Sequence, residues 1–144
     1  MATLVASKAA AAVQPKKLHA GVNTITSVYT TTAALSAGDV IQMVKLPDRA
    51  RVVEVLLGHR TVDGAAILQV GDGLAAGRFI GSTTASTVTT ITRMSAPLAP
   101  YQYSLSDDAA IKYDTVDITV GTVASQTPST ILALTVLFQV EDDG

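Results

Sequence analysis

The stretch ILQVGDGLAAGRFIG, residues 67–81, carries three glycines in the spacing G-x-G-x-x-x-G directly after an apolar run. Glycine-rich loops bind phosphate when they open a helix, because the backbone N–H groups then approach the anion. Here the glycines are followed by RFIGSTT, which favours a strand, and the Lys-Ser or Lys-Thr pair of a nucleotide loop is missing. The sequence therefore predicts a hairpin turn at Gly71, Asp72 and Gly73, because Asp-Gly tolerates a positive φ.

Histidine is the other candidate for chemistry, and the chain has His19 and His59. His59 stands close to Arg60 and Asp63 at a predicted strand end, which leaves two interpretations, an acid–base pair or a structural histidine. No nucleophile-elbow sequence marks a serine, and two histidines without cysteine do not match a zinc site. A calcium site at Asp72 lacks the acidic loop that would supply six to eight oxygen ligands. We therefore predict no enzymatic activity, no cofactor and no metal.

Sugar binding is the remaining site chemistry to weigh, because β-sandwich proteins often present flat aromatic faces to sugar rings. The chain has no Trp, two Phe and four Tyr. Tyr101 and Tyr103 alternate, so they share one face with Leu105 and form a small candidate platform. A glycan- or receptor-binding β module therefore stays open as an alternative.

The elements that would position these residues are strands. Thr and Ser make up about a fifth of the chain, and both suit a pleated surface. Apolar residues alternate with polar ones in TVDITVG and STILALTVLFQVE, which predicts the buried set Val116, Ile118, Val120, Leu132, Leu134, Val136 and Phe138. In ARVVEVLLGH, the pattern places Val53, Val55 and Leu57 on one face and Glu54 on the other.

The strand within STILALTVLFQVE carries apolar residues on both faces. Ile131, Ala133 and Leu137 partly fill the side opposite Leu132 and Phe138. This composition predicts a central strand that is covered on both sides. It also exceeds what a small monomer needs to cover, so we expect self-association, as a homotrimer.

About ten short strands separated by turn residues predict an all-β fold, an antiparallel β-sandwich or jelly-roll-like domain with an N-terminal arm. Only LVASKAAAAVQ has helix-forming composition, and Pro15 would end such a helix. The expected organisation is an arm at residues 1–21 and one β domain at residues 22–144. No secretory signal or run of about 20 apolar residues is present, so we expect an unprocessed, soluble chain that binds no membrane.

Charge is unevenly distributed along the chain. Residues 1–60 carry seven Lys or Arg against three acidic residues, whereas residues 61–144 carry three against nine. The net charge of −2 gives no reason to expect nucleic-acid binding. Residues 1–19 contain three lysines and no acid, which predicts either an arm that contacts a partner or a solvated terminus. With few large side chains, this segment is expected to be mobile in the isolated protein.

Several segments of the sequence, in order from about Lys17 to Val140, resemble small virion structural proteins of tailed bacteriophages. The segments are LHAGVNTITSVYTTTAALSAGDVIQMVKLPDRARVVEVLL, LQVGDG with RFIGST downstream, IKYDTVDITVGTVAS, and ILALTVLFQV. The resemblance implies a capsid decoration (cement) protein on the outer surface of the head, which clamps neighbouring major capsid subunits and forms trimers. Another phage structural role, such as a head-fibre base or tail protein, is the alternative.

The resemblance also gives the basic segment a partner. It implies that the arm contacts the major capsid protein or a neighbouring copy of the chain. The candidate contact residues are Lys8, Lys16, Lys17 and His19. Part of the attachment should then weaken with salt, because salt screens exposed charges.

Overall fold

A computed structural model describes residues 2–6, 9, 21–47, 50–61, 64–94, 113–123 and 128–140 of the chain. Within these ranges the backbone forms nine strands, which confirms the predicted all-β class. In chain order they are β1 (Thr3–Val5), β2 (Asn23–Thr30), β3 (Val40–Pro47), β4 (Ala50–Arg60), β5 (Ala66–Gly71), β6 (Ile80–Ala85), β7 (Thr90–Arg93), β8 (Tyr113–Val123) and β9 (Ile131–Val140).

The strands form two sheets, one of five strands in the order β1-β3-β8-β5-β6 and one of four in the order β2-β9-β4-β7. All pairs are antiparallel except β1 with β3. From β2 onward the chain changes sheet at each connection, apart from the β5–β6 hairpin, and β2 and β9 pair with each other. This wrapping of eight strands into two sheets is a jelly roll, so the predicted sandwich is confirmed.

The core lies between the two sheets and is filled by their inward-facing residues. All seven residues predicted from the alternation are at most 1% exposed: Val116, Ile118, Val120, Leu132, Leu134, Val136 and Phe138. Phe138 is the largest of the fully buried side chains and is not exposed at all. The period-2 pattern of β8 and β9 therefore predicted their facing correctly.

The predicted facing of β4 is wrong in its first half. The register shifts between Val52 and Glu54, so a β-bulge lies at this point of the strand. Val52 is fully buried and Val53 is only half-buried, whereas Val55 and Leu57 are fully buried, as predicted. An extra residue in one strand reverses the alternation beyond it, and the sequence pattern gave no sign of this insertion.

Strand β9 is central in its sheet, as predicted, since it lies between β2 and β4. The expectation that both of its faces are covered is wrong. Its inner face is buried, but on the outer face Ile131 is 44% exposed, and Ala133 and Leu137 are half-buried. The described residues thus leave an apolar sheet face open.

The N-terminal segment differs from its prediction. Residues 3–5 lie in the expected mobile arm and overlap the start of the helix-forming stretch, and they form β1, which pairs in parallel with β3. Ala6 continues this edge, because its N–H donates to the carbonyl oxygen of Gln42 at 2.8 Å. At Leu4 and Val5, pairing with a preformed edge outweighs weak helix propensity, whereas Ala9 further along the stretch is helical. The arm boundary at residue 21 stays a prediction, because residues 10–20 lie outside the described ranges.

The predicted strand TVDITVG is part of a longer one, since residues 113–123 form the single strand β8. The candidate platform of Tyr101 and Tyr103 lies outside the described residues.

Candidate interaction surfaces

Asp39 fixes the N-terminal strand at the start of β3. Its carboxylate accepts hydrogen bonds from the backbone N–H of Ala2 to Oδ1 (2.9 Å) and of Ser36 to Oδ2 (2.8 Å). The N–H of Val40 donates to the carbonyl oxygen of Ala2 at 2.8 Å, so Ala2 is held through both its N–H and its C=O. Asp39 is only 5% exposed, which makes these bonds stronger than they would be in water. Strand β1 is therefore held at the edge of the five-stranded sheet.

The predicted contact residues Lys8, Lys16, Lys17 and His19 all lie outside the described residues, and their role stays a prediction. The described residues on either side of Lys8 are Ala6 and Ala9, which are both 1% exposed. The basic segment is thus flanked at its start by alanines that are buried against the domain.

A cleft of about 270 Å³ opens beside this edge, between β1 and β2. Leu4, Tyr29 and Thr31 line it together with Asp39. Its polar groups already form hydrogen bonds within the chain. The Thr31 hydroxyl accepts the N–H groups of Ser129 and Thr130 (3.1 and 3.0 Å). The Asp39 carboxylate accepts those of Ala2 and Ser36. The cleft therefore shows no nucleophile paired with a base.

The glycine-rich stretch connects β5 and β6, so the prediction of a hairpin turn rather than a phosphate loop is confirmed. The expected positive φ is wrong, however, since the glycines with a positive φ among the described residues are Gly38 and Gly64. Gly71 is needed for space instead, because a Cβ there would lie 1.9 Å from the carbonyl oxygen of Ala75. The hairpin loop folds back onto the end of β5.

Asp72 organises this loop from within. Its Oδ1 accepts the backbone N–H groups of Leu74 (3.0 Å) and Ala75 (2.8 Å), and its Oδ2 pairs with Nε of Arg78 at 2.5 Å. The carboxylate oxygens are thus occupied by the loop, which argues against the calcium site considered from the sequence. Leu74 is 85% exposed although its own N–H is held, so the loop presents an apolar side chain on a fixed backbone.

His59 is a buried residue of β4, which favours the structural interpretation. It is 2% exposed, and its Nε2 lies 3.2 Å from Oγ1 of Thr92 on β7. Burial lowers the pKa of His59 below its ordinary value of 6.5, so the ring is neutral at pH 7. Asp63, the proposed acid partner, lies outside the described residues.

The outer face of the four-stranded sheet carries a continuous apolar row. Val28 on β2 pairs with Ala133 on β9, Ala133 with Gly58 on β4, and Gly58 with Ile91 on β7. Val28 is 56% and Ile91 70% exposed, while the two central positions are small. This row is here termed the apolar row and consists of Val28, Ala133, Gly58 and Ile91. Because its central residues are small and its end residues are larger, it forms a shallow groove.

Arginines flank the apolar row on both sides. On one side, Ile131 of β9 pairs with the exposed Arg60 of β4. On the other side, Leu56 pairs with Arg93, whose Nη2 lies 2.8 Å from a carboxylate oxygen of Glu54. The Arg93 side chain is 73% exposed, so this ion pair contributes little to stability. The apolar row and its arginines match a partner with apolar side chains between acidic ones.

The outer face of the five-stranded sheet is less open at its centre. Asp117 lies on the middle strand β8 between the core residues Val116 and Ile118, so it points away from the core. It is nevertheless 5% exposed, and other parts of the chain therefore cover it. Of the two faces, the four-stranded one is the better candidate for binding a partner.

In the part of the chain that the structure describes, no group of three or more His, Asp or Glu side chains is placed to hold a metal ion. These residues also form no helix with the length and apolar character of a membrane span.

Comparison with known proteins gives matches by structure. No protein-family model and no curated protein sequence matches the chain. The fold is similar to that of a chain in the capsid of Ralstonia phage GP4, with a TM-score of 0.77, 17% identity, and 98% of this chain and 99% of that chain covered.

Two further solved structures are similar. One is a chain of the cyanophage Pam1 capsid asymmetric unit (TM-score 0.63, 16% identity, 91% of this chain and 93% of that chain). The other comes from the acidic stable capsid structure of Helicobacter pylori bacteriophage KHP30 (TM-score 0.56, 16% identity, 87% and 92%). At these identities the similarity shows a shared fold along nearly the whole length of each chain.

Proposed function

We propose that the chain is a bacteriophage virion structural protein, and more specifically a capsid decoration (cement) protein. In this role it binds the outer surface of the head and stabilises contacts between major capsid subunits. The observation that carries the proposal is the structural match with a chain of the Ralstonia phage GP4 capsid, which covers 98% of this chain and 99% of that one. The sequence resemblance to phage virion proteins supports it independently.

The role also fits the physics of a filled phage head. Packaged DNA pushes the shell outward, and a protein that bridges several subunits adds contact area where the shell would separate. Such a clamp needs a rigid domain and adhesive surfaces, and no active site. A jelly roll whose loop is fixed by Asp72 and whose first strand is fixed by Asp39 provides that rigidity.

We assign the contact with the major capsid protein to the apolar row. Val28 and Ile91 lie at its ends and Arg60 and Arg93 beside it, so the favoured partner carries apolar and acidic groups.

Trimer formation and the basic arm complete the proposal. Three copies around a three-fold axis repeat one weak contact and gain avidity. Lys8, Lys16, Lys17 and His19 would then contact the capsid or a neighbouring copy. Light scattering tests the oligomer, and a monomer both at high concentration and on the capsid contradicts it. Replacing the three lysines by Gln should mainly reduce the salt dependence of attachment.

Add-back to purified heads tests the function. Heads that lack this protein and carry no tails are mixed with the purified chain, and occupancy is imaged on the assembled particle. We expect ordered binding on the outer surface and increased resistance of the heads to heat. Binding only to tailed particles would indicate a tail component, and absence of binding to heads would refute the decoration role.

A charge placed in the apolar row tests the assigned surface. Ile91→Asp should reduce head occupancy at least tenfold, since it buries a carboxylate in the contact. The matched control is Val88→Asp, because Val88 is similarly exposed (68%) but lies in the β6–β7 loop. Both variants should unfold at the same temperature as the wild type. Equal occupancy by the two variants would show that another surface binds.

A further inference from the structure

The edges of the two sheets formed by β6 and β7 are joined through the buried His59 and two half-buried threonines. Nε2 of His59 on β4 lies 3.2 Å from Oγ1 of Thr92 on β7, and this oxygen lies 3.0 Å from Oγ1 of Thr83 on β6. Strands β4 and β7 belong to the four-stranded sheet, whereas β6 belongs to the five-stranded one. The chain His59–Thr92–Thr83 therefore crosses from one sheet to the other.

The imidazole has only half of its hydrogen-bonding capacity satisfied. Among the described residues, Nδ1 of His59 has no hydrogen-bond partner, and the residue is 2% exposed. In the neutral ring one nitrogen carries a proton, so Nδ1 can remain a bare acceptor at low cost. A protonated ring would place an unpaired N–H donor and a positive charge in the same buried position.

No nearby acid compensates for that charge in the described strands around the ring. Strands β5, β6 and β9 carry no ionisable side chain. On β7, Arg93 points to the outer face, where it pairs with Glu54 of β4, and Arg60 beside His59 is exposed. Within the described residues, the polar group bonded to the His59 ring is the hydroxyl of Thr92.

We propose that the contact between the two sheets at β6 and β7, here termed the seam, is acid-sensitive. Protonation of His59 separates the sheets there, while the pairing of β2 with β9 on the opposite side of the sandwich is kept. The seam consists of the hydroxyl chain together with the hydrogen bond from Thr61 N–H, after β4, to Ser86 O, after β6 (2.8 Å). The proposal concerns the domain itself and is independent of the capsid role.

The sign and size follow from proton linkage. Burial lowers the pKa of His59 in the folded state, so closure of the seam is fully favoured above the pKa of the open state and weakens as pH falls below it. With an open-state pKa near 6.5, the opening equilibrium should rise by up to about 30-fold between pH 7.5 and pH 5.0.

Amide hydrogen exchange on the full-length protein measures this opening. Protection at Thr61, corrected for the intrinsic pH dependence of exchange, should fall up to about 30-fold on acidification. Amides of the β2–β9 ladder should change much less. A uniform fall in all ladders would show that His59 acts on global stability, and unchanged protection at Thr61 would also overturn the seam.

Histidine variants assign the effect to one ring. His59→Gln keeps a side chain that can bond Thr92 but does not titrate, so it should abolish the acid dependence, whereas His19→Gln should retain it. An NMR titration of the wild type needs no folded variant, and the His59 ring should titrate below the ordinary value of 6.5. A His59 ring that titrates near 6.5 while the seam stays protected contradicts the proposal.

Discussion

Replacing Asp72 by Ala tests whether the β5–β6 loop is held by one carboxylate. The side chain of Asp72 is 1% exposed and binds the N–H groups of Leu74 and Ala75 together with the guanidinium of Arg78. Removing one partner of a buried ion pair costs about 3–5 kcal/mol. The Arg78 side chain is 22% exposed and can regain water, so we expect a loss near the lower limit, about 3 kcal/mol.

Urea denaturation measures this loss. With an m-value of about 2 kcal/mol/M, typical of a small domain, the midpoint should fall by about 1.5 M. The protein should still fold, because domains of this size have about 5–15 kcal/mol of stability. The m-value should not change, since the loop is a small part of the surface exposed on unfolding.

Asp72→Asn separates the two parts of the interaction. The amide keeps an oxygen for the N–H groups of Leu74 and Ala75 but loses the charge that pairs with Arg78, so it should cost about 1–2 kcal/mol. A loss below 1 kcal/mol for Asp72→Ala would refute the assigned role. Equal losses for Asp72→Ala and Asp72→Asn would show that the ion pair alone matters.

Three other substitutions have expected outcomes. Phe138→Ala should cost about 3–5 kcal/mol in chemical denaturation, because it empties a fully buried site, and a loss below 1 kcal/mol would contradict the facing of β9. Gly71→Ala should cost about 1–3 kcal/mol, because its Cβ collides with the Ala75 carbonyl, whereas Gly73→Ala meets nothing within 4 Å and should be neutral by the same assay. Asp39→Ala should release β1 and expose it to proteolysis while the remaining domain stays folded; an uncut N-terminus would show that pairing with β3 is sufficient.

The sequence predicted which residues are buried where a strand alternates regularly between the core and its outer face. In β9 every second residue from Leu132 to Phe138 faces the core, so the apolar pattern and the burial pattern coincide. The bulge at Val53 broke the same rule in β4, because an inserted residue is decided by pairing with β9 and leaves no trace in composition. Strand β1 was missed since its three residues are ordered by β3, more than thirty positions away.

The candidate surfaces were harder to predict than the fold. In the sequence, Asp39 follows Gly38, and no neighbouring residue indicates that its carboxylate binds the N–H of Ala2. The hydrogen bonds of Asp72 were easier to predict, because Asp side chains commonly accept N–H groups two and three positions ahead in a local turn. The apolar row could not be predicted, since it joins four strands whose register only the pairing sets.

The seam bears on how the domain could work as a clamp. The Asp39 carboxylate binds backbone N–H groups at the β1 edge, within the five-stranded sheet, whereas the seam joins the two sheets. Beside β7, His59 closes the seam only while its ring is neutral. The apolar row ends at Ile91 on β7, so opening the seam would move one end of the proposed capsid contact and leave Val28 in place.

Acid should therefore weaken attachment to heads before it unfolds the domain. His59→Gln should remove that acid dependence and preserve attachment at pH 7.5. If acid releases His59→Gln as readily as the wild type, the contact titrates elsewhere.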